Sequence, residues 1–270
     1  MNKILVSHIG LFTRFEISMD TWEINLTRRL ERSIYFYGND LRARWGMKDR
    51  VRKILKLLDS EYPETKGTSL NWRTPLDLLV ATILSAQSTD MKVNEVTKTL
   101  FEKYKTAEDY ATAPRKELEE DIKPTGFYRQ KAGWIQEACR TLVEEHGGEI
   151  PRSMEALIGL KGVARKTANI VLQNAYGVVE GIAVDTHVMR LSKRLGLTEE
   201  RYRDKIELDL MEVVPRLKWF SINYLLIEHG RNVCTARKPN CEKCVISELC
   251  PLAFTFPHNL QKGRTERQER

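Results

Sequence analysis

Leu157, Ile158, Gly159, Leu160, Lys161, Gly162, Val163, Ala164, Arg165, Lys166, Thr167, Ala168 and Asn169 read as a helix, a glycine turn and a second helix running to about Asn174. Gly162 is free to take a positive φ. The new helix start leaves backbone N–H groups that can face a phosphate without reading a base. An ordinary capped turn between two helices calls for the same glycine, so the turn alone fits either reading. Lys166 separates them. Just inside a helix N-terminus an ammonium meets the positive end of the dipole, which favours the neutral, nucleophilic amine and suits a purely structural cation poorly.

Outward from this hairpin the helical period dominates and no clear period-two alternation occurs, so the expected fold class is all-α. Val51, Ile54, Leu55 and Leu58 form a one-sided stripe with Lys and Arg opposite. Thr74, Pro75 and Asp77 form a capping arrangement that opens a helix whose Leu78, Leu79, Ile83 and Leu84 predict a buried, central position. Further stripes run through Val93, Val96 and Leu100, through Ala132, Ile135, Cys139 and Leu142, and through Ile222, Leu225, Leu226 and His229. Cys139 on such a stripe is expected to be a core thiol.

Downstream of the hairpin, Gly181 to His187 places Asp185 at the expected N-cap of a helix through Leu195. Capping alone would account for it. A carboxylate near an amine nucleophile would also stabilise a developing positive sugar and move protons. Cys234, Cys241, Cys244 and Cys250 are spaced C-x6-C-x2-C-x5-C, close enough to surround one centre at little loop-closure cost. Four thiolates suit either a tetrahedral zinc or a [4Fe-4S] cube. A centre joining the first two would hold Arg237 and Lys238 on a short exposed arch, where they would meet phosphate or stand as solvated charges.

The chain has 270 residues, enough for one large domain or two. Its 44 Lys and Arg against 37 Asp and Glu leave a net charge of +7, which favours a polyanionic partner. No run approaches a membrane-spanning length and the first residues lack a secretory cleavage pattern. Clustered rather than paired cysteines suit a reducing compartment, so an intracellular, cytoplasmic protein is expected. Residues 1–46 carry no site chemistry and have no assigned role. Residues 251–270 are expected to form a basic, flexible tail.

Between about Met47 and Cys250 the chain resembles the endonuclease III family, the helix-hairpin-helix DNA glycosylases and abasic-site lyases of base-excision repair. The resemblance rests on Leu84 to Asp90, on Leu160 to Asn169, on Val184 to His187, and on His229, Gly230 and Arg231 followed by the four cysteines. It implies two helical domains with DNA in the cleft between them. A six-helix barrel bearing the hairpin would occupy 68–177, inserted in an iron–sulfur domain made of 47–67 and 178–250. Lys166 would be the Schiff-base nucleophile and Asp185 the catalytic carboxylate. The four cysteines would ligate a [4Fe-4S] cluster. Gln87 would fill the space left by an extruded nucleotide and Phe127 would wedge the duplex, with Lys161, Gly162, Ala164, Arg237 and Lys238 also meeting DNA. Lys161 stands where the family usually has proline, Ala164 where it has a second glycine, and Phe127 where leucine is more usual. The implied protein is a monomeric bifunctional enzyme that removes oxidised pyrimidines from double-stranded DNA and cleaves 3′ to the abasic site. The rival readings are a monofunctional mismatch glycosylase, disfavoured by Lys166, and a non-enzymatic iron–sulfur DNA-binding protein.

Overall fold

The computed structural model describes residues 46–65 and 67–257, and every regular element among them is a helix. The expected N-terminal extension and basic tail fall outside these bounds, apart from Gly46 and residues 251–257. Helix α1 occupies 46–61. It is followed by α2 (Pro75–Leu84), α3 (Asp90–Lys103), α4 (Ala107–Thr112), α5 (Arg115–Ile122) and α6 (Tyr128–His146). The chain continues through α7 (Met154–Gly159), α8 (Arg165–Tyr176), α9 (Thr186–Arg194), α10 (Arg203–Val213) and α11 (Trp219–Asn232).

Local chemistry accounts for where these helices start. At α2 the Asp77 N–H donates to Thr74 Oγ1 at 3.1 Å while the Asp77 carboxylate accepts from the Thr74 N–H at 3.1 Å, so two otherwise orphaned donors are satisfied. Thr106 and Asp109 repeat the device at α4. Pro75 fits the first turn of α2, where a missing N–H costs nothing. Nearly every residue of α2 is buried, which places it at the centre of a helical layer.

Two apolar cores result. One gathers Leu78, Leu79, Leu84, Ile135, Leu142 and Leu172 from α2, α6 and α8, and Cys139 lies inside it as a core thiol. The other packs Ile54 and Leu58 of α1 against Val188, Ile206, Ile222 and Leu226 of α9, α10 and α11. The first draws on chain between 70 and 183, the second on 51–58 and 182–246. Both belong to one compact unit that begins at Met47. The non-helical segment after Gly181 threads between them: Ile182 and Val184 enter the second core and Ala183 the first. That alternation fixes the position of the next residue, Asp185.

Residues 251–257, expected as the start of a flexible tail, instead form turns over α9. The Phe256 ring lies 4.7 Å from the Arg194 guanidinium, a cation–π contact that ties this part of the chain down.

Candidate active site and cluster cradle

In the hairpin, α7 ends at Gly159 and the Val163 N–H donates to the Leu160 carbonyl at 3.1 Å, closing the turn on which Gly162 sits with φ +78°. A Cβ on Gly162 would stand 2.7 Å from Trp134 Cβ. Backbone conformation and lack of space therefore both require glycine. Ala164 is the N-cap of α8 and offers no side-chain acceptor, so the first-turn N–H groups of α8 have no protein cap. Lys166 is the second residue of α8 and is half-buried, whereas Lys161 and Ala164 are exposed.

Asp185 is the N-cap of α9, its Oδ1 accepting from the Val188 N–H at 2.8 Å. The capping role is thus real, and it holds the carboxylate at a fixed point. Lys166 and Asp185 line one cavity of about 740 Å³, whose walls also include Tyr62, Asp90, Phe220 and Arg231. The volume lies in the range of small-molecule sites. Asp90 accepts from Ser69 Oγ at 2.6 Å and from Arg231 Nη2 at 2.8 Å. Burial pushes this carboxyl up, but those hydrogen bonds and the charges of Arg231 and Lys166 outweigh it and hold Asp90 below the usual carboxylate range. Burial lowers His187, beside Asp185, against the opposing pull of that carboxylate.

One buried acid connects the elements carrying the two proposed catalytic groups. Glu207 on α10 accepts from Arg165 Nε at 2.7 Å, from Asn169 Nδ2 at 3.0 Å and from the Ile182 N–H at 3.2 Å. It thereby joins the first turn of α8 to the segment that delivers Asp185. A Cβ on Gly181 would fall 1.9 Å from Glu207 Oε1, so glycine is what admits the carboxylate.

Gln87 and Phe127 do not line this cavity. They sit on the loop after α2 and at the start of α6, with φ of 54° and 50°, a conformation that is uncommon for residues other than glycine. Gln87 is exposed and Phe127 is 61% exposed.

Cys234, Cys241, Cys244 and Cys250 converge on one cavity with Val233, Pro239 and Phe256. Among the described residues no three His, Cys, Asp or Glu groups are disposed to hold a single metal ion. Four cysteines lining one cavity form an all-thiolate donor set, which suits an iron–sulfur cluster. Arg194 braces the adjoining arch, donating to the Thr235 and Ala236 carbonyls at 2.8 Å each and to Cys234 Sγ at 3.2 Å. Buried His229 places Nε2 3.3 Å from Cys244 Sγ and Nδ1 2.9 Å from the Tyr62 hydroxyl. Burial lowers His229 to about 4, so its ring is neutral at neutral pH. Arg237 and Lys238 are exposed on the arch.

A profile described as HhH-GPD superfamily base excision DNA repair protein matches residues 80–216. Endonuclease III of Synechocystis is 51% identical over 213 residues, covering 79% of this chain and 97% of that protein. The chain belongs to the endonuclease III family. Endonuclease III of Escherichia coli is 41% identical over 198 residues, 73% of this chain and 93% of the relative. A second profile, the iron–sulfur binding domain of endonuclease III, matches residues 234–250, and the cofactor is accordingly a [4Fe-4S] cluster. A solved structure of a trapped endonuclease III–DNA covalent intermediate superposes with a TM-score of 0.73 at 42% identity, covering 77% of this chain and 97% of that one. A thermostable thymine-DNA glycosylase gives 0.69 at 27% identity, over 77% and 98%. This family member is a bifunctional base-excision repair glycosylase and abasic-site lyase. No helix among its described residues is long and apolar enough to cross a membrane.

Sequence reasoning placed Asp90 and Arg231 in motifs without giving them a role, and passed over Tyr62, Glu207 and Lys131. For Lys131 a signal existed, since it lies four residues before Ile135 on the apolar stripe of α6. For Glu207 none did, because its partners come from distant chain.

Proposed function

We propose that this enzyme acts as a monomer on duplex DNA carrying oxidised pyrimidines, with Lys166 as nucleophile and Asp185 as the carboxylate that assists it. The observation that carries the reading is that Lys166 and Asp185, separated by the hairpin helix and the threaded segment, line one nucleotide-sized cavity. A damaged nucleotide leaves the stack more readily than an intact one. Its C1′ then meets the Lys166 amine: the N–C1′ bond forms, the glycosidic bond breaks, and the departing base takes the electron pair and then a proton. The attached amine then gives up a proton and the C1′–O4′ bond opens, O4′ taking that bond's electron pair and a proton, which leaves an open-chain iminium between Lys166 and C1′. The iminium acidifies C2′, loss of that proton expels the 3′ phosphate with the C3′–O electron pair, and the strand is cut. Asp185 stabilises the positive sugar and relays protons. Gln87 fills the vacated space and Phe127 wedges the stack. The hairpin residues Lys161, Gly162 and Ala164 bring backbone N–H groups to one phosphate, and Arg237 and Lys238 meet others. Cys234, Cys241, Cys244 and Cys250 would hold the cluster, which supplies a rigid closure for the arch.

Lys166→Gln tests the reading. It removes one charge and leaves the hairpin in place, so most DNA affinity should survive, while the borohydride-trapped adduct and the lyase product both disappear. Trapping and nicking of abasic DNA at the parental rate would assign the nucleophile to another amine.

A further inference from the structure

Lys131 is 1% exposed and lies on the apolar face of α6, where a lysine is costly to bury. Its ammonium donates to the Leu84 carbonyl at 2.7 Å and to the Thr125 carbonyl at 2.8 Å. Among the described residues no ion pair reaches it. Burial lowers it to about 8, so at neutral pH it still carries the proton that makes it a donor.

Its two partners share a feature. Leu84 is the last residue of α2, three positions before Gln87, and Thr125 ends a short 3-10 turn two positions before Phe127. At its own end, Lys131 sits one turn into α6, its backbone N–H making the usual helical bond to the Phe127 carbonyl at 3.0 Å. One residue therefore holds the roots of both exposed tips whose backbones take left-handed conformations. Carbonyls at element ends lack internal partners and carry the negative end of the local dipole, so a buried cation between two of them binds both elements at once.

We propose that Lys131 is a positioning residue that locks the Gln87 and Phe127 tips into one register, so that plug and wedge enter the duplex together. The inference rests on the reading of those tips as duplex probes. Two loops fixed to each other need ordering once rather than separately when a nucleotide is extruded, which lowers the cost of opening the stack. Chemistry at the cavity does not pass through Lys131, which does not line it.

The prediction is a split between two substrates. Lys131→Met should slow turnover of a duplex carrying an oxidised pyrimidine by about 10- to 100-fold. Borohydride trapping on a single-stranded abasic oligonucleotide, which has no stack to open, should stay within about twofold. Lys131→Gln retains two N–H donors and should fall between Lys131→Met and the parent on the duplex. Should Lys131→Met not fold, Lys131→Gln carries the same test. Equal losses on both substrates, full duplex turnover, or failure of both variants to fold would make Lys131 a structural residue and overturn the proposal. A double variant, Gln87→Ala with Phe127→Ala, separates the two levels. If it keeps full duplex turnover, the probe reading fails. If it loses turnover while Lys131→Met does not, only the inference about Lys131 fails.

Discussion

An alanine at position 162 would bring its Cβ to 2.7 Å from Trp134 Cβ on a backbone held at φ +78°. Left-handed strain and overpacking add, so Gly162→Ala should cost about 2–4 kcal/mol and lower Tm by about 5–10 °C. Thermal melting checks this, and an unchanged Tm would mean that the turn relaxes away from Trp134. Phe127 presents the opposite case. Its φ of 50° is strained for phenylalanine, and a side chain on a residue 61% exposed packs against little. Phe127→Gly should relieve about 1 kcal/mol of strain, so Tm should not fall, while processing of damaged duplex does. A lower Tm would show that the ring supports the fold rather than probing DNA. Strain at the tips and rigidity under the hairpin are thus two uses of the same region of φ.

At the scale of elements, the site depends on how α8 and the 182–184 segment are joined. Glu207→Gln keeps the shape but loses the charge that faces Arg165 Nε at 2.7 Å. Arg165 is partly exposed and retains some solvation, so the stability cost should be about 1–3 kcal/mol. The larger effect should fall on kcat with KM little changed, because what shifts is the placement of Lys166 and Asp185 around the cavity they both line and not the DNA surface. A rise in KM alone would place Glu207 in binding. Several of these elements were readable from the chain alone: Thr74 with Asp77, Gly162 with Lys166, and the four cysteines all act through neighbours a few residues away. Glu207 was not, since Arg165 is 42 residues from it, and the stripe of α6 marks Lys131 as buried without revealing its partner Leu84, 47 residues away. A charged side chain on a helix reads as a solvated one until the partner's position is known. Asp185 was legible as a cap, but its place on the cavity that Lys166 also lines depends on the crossing between the two cores.

Across the whole molecule, the chain's net charge of +7 does not say where a polyanion lies, but the cluster arch gives that charge a place. Cys234 and Cys241 flank the loop that carries Arg237 and Lys238, and Arg194 fixes its backbone through the Thr235 and Ala236 carbonyls. Two exposed cations on a braced arch lose little conformational freedom on meeting phosphates, unlike cations on a free loop. If each neutralises one phosphate, each releases about 0.9 of a counterion from B-form DNA. Arg237→Ala with Lys238→Ala should therefore flatten the slope of log affinity against log salt by about 1.8. The loss should be the same for damaged and undamaged duplex, because phosphate contacts carry no base information. Chemistry on DNA already bound should continue at the parental rate, since neither residue lines the cavity. Titrations at several salt concentrations, on protein whose iron content matches the parent, measure the slope free of cluster loss. An unchanged slope would make Arg237 and Lys238 solvated surface charges, and the DNA path over the arch would have to be redrawn through other cations.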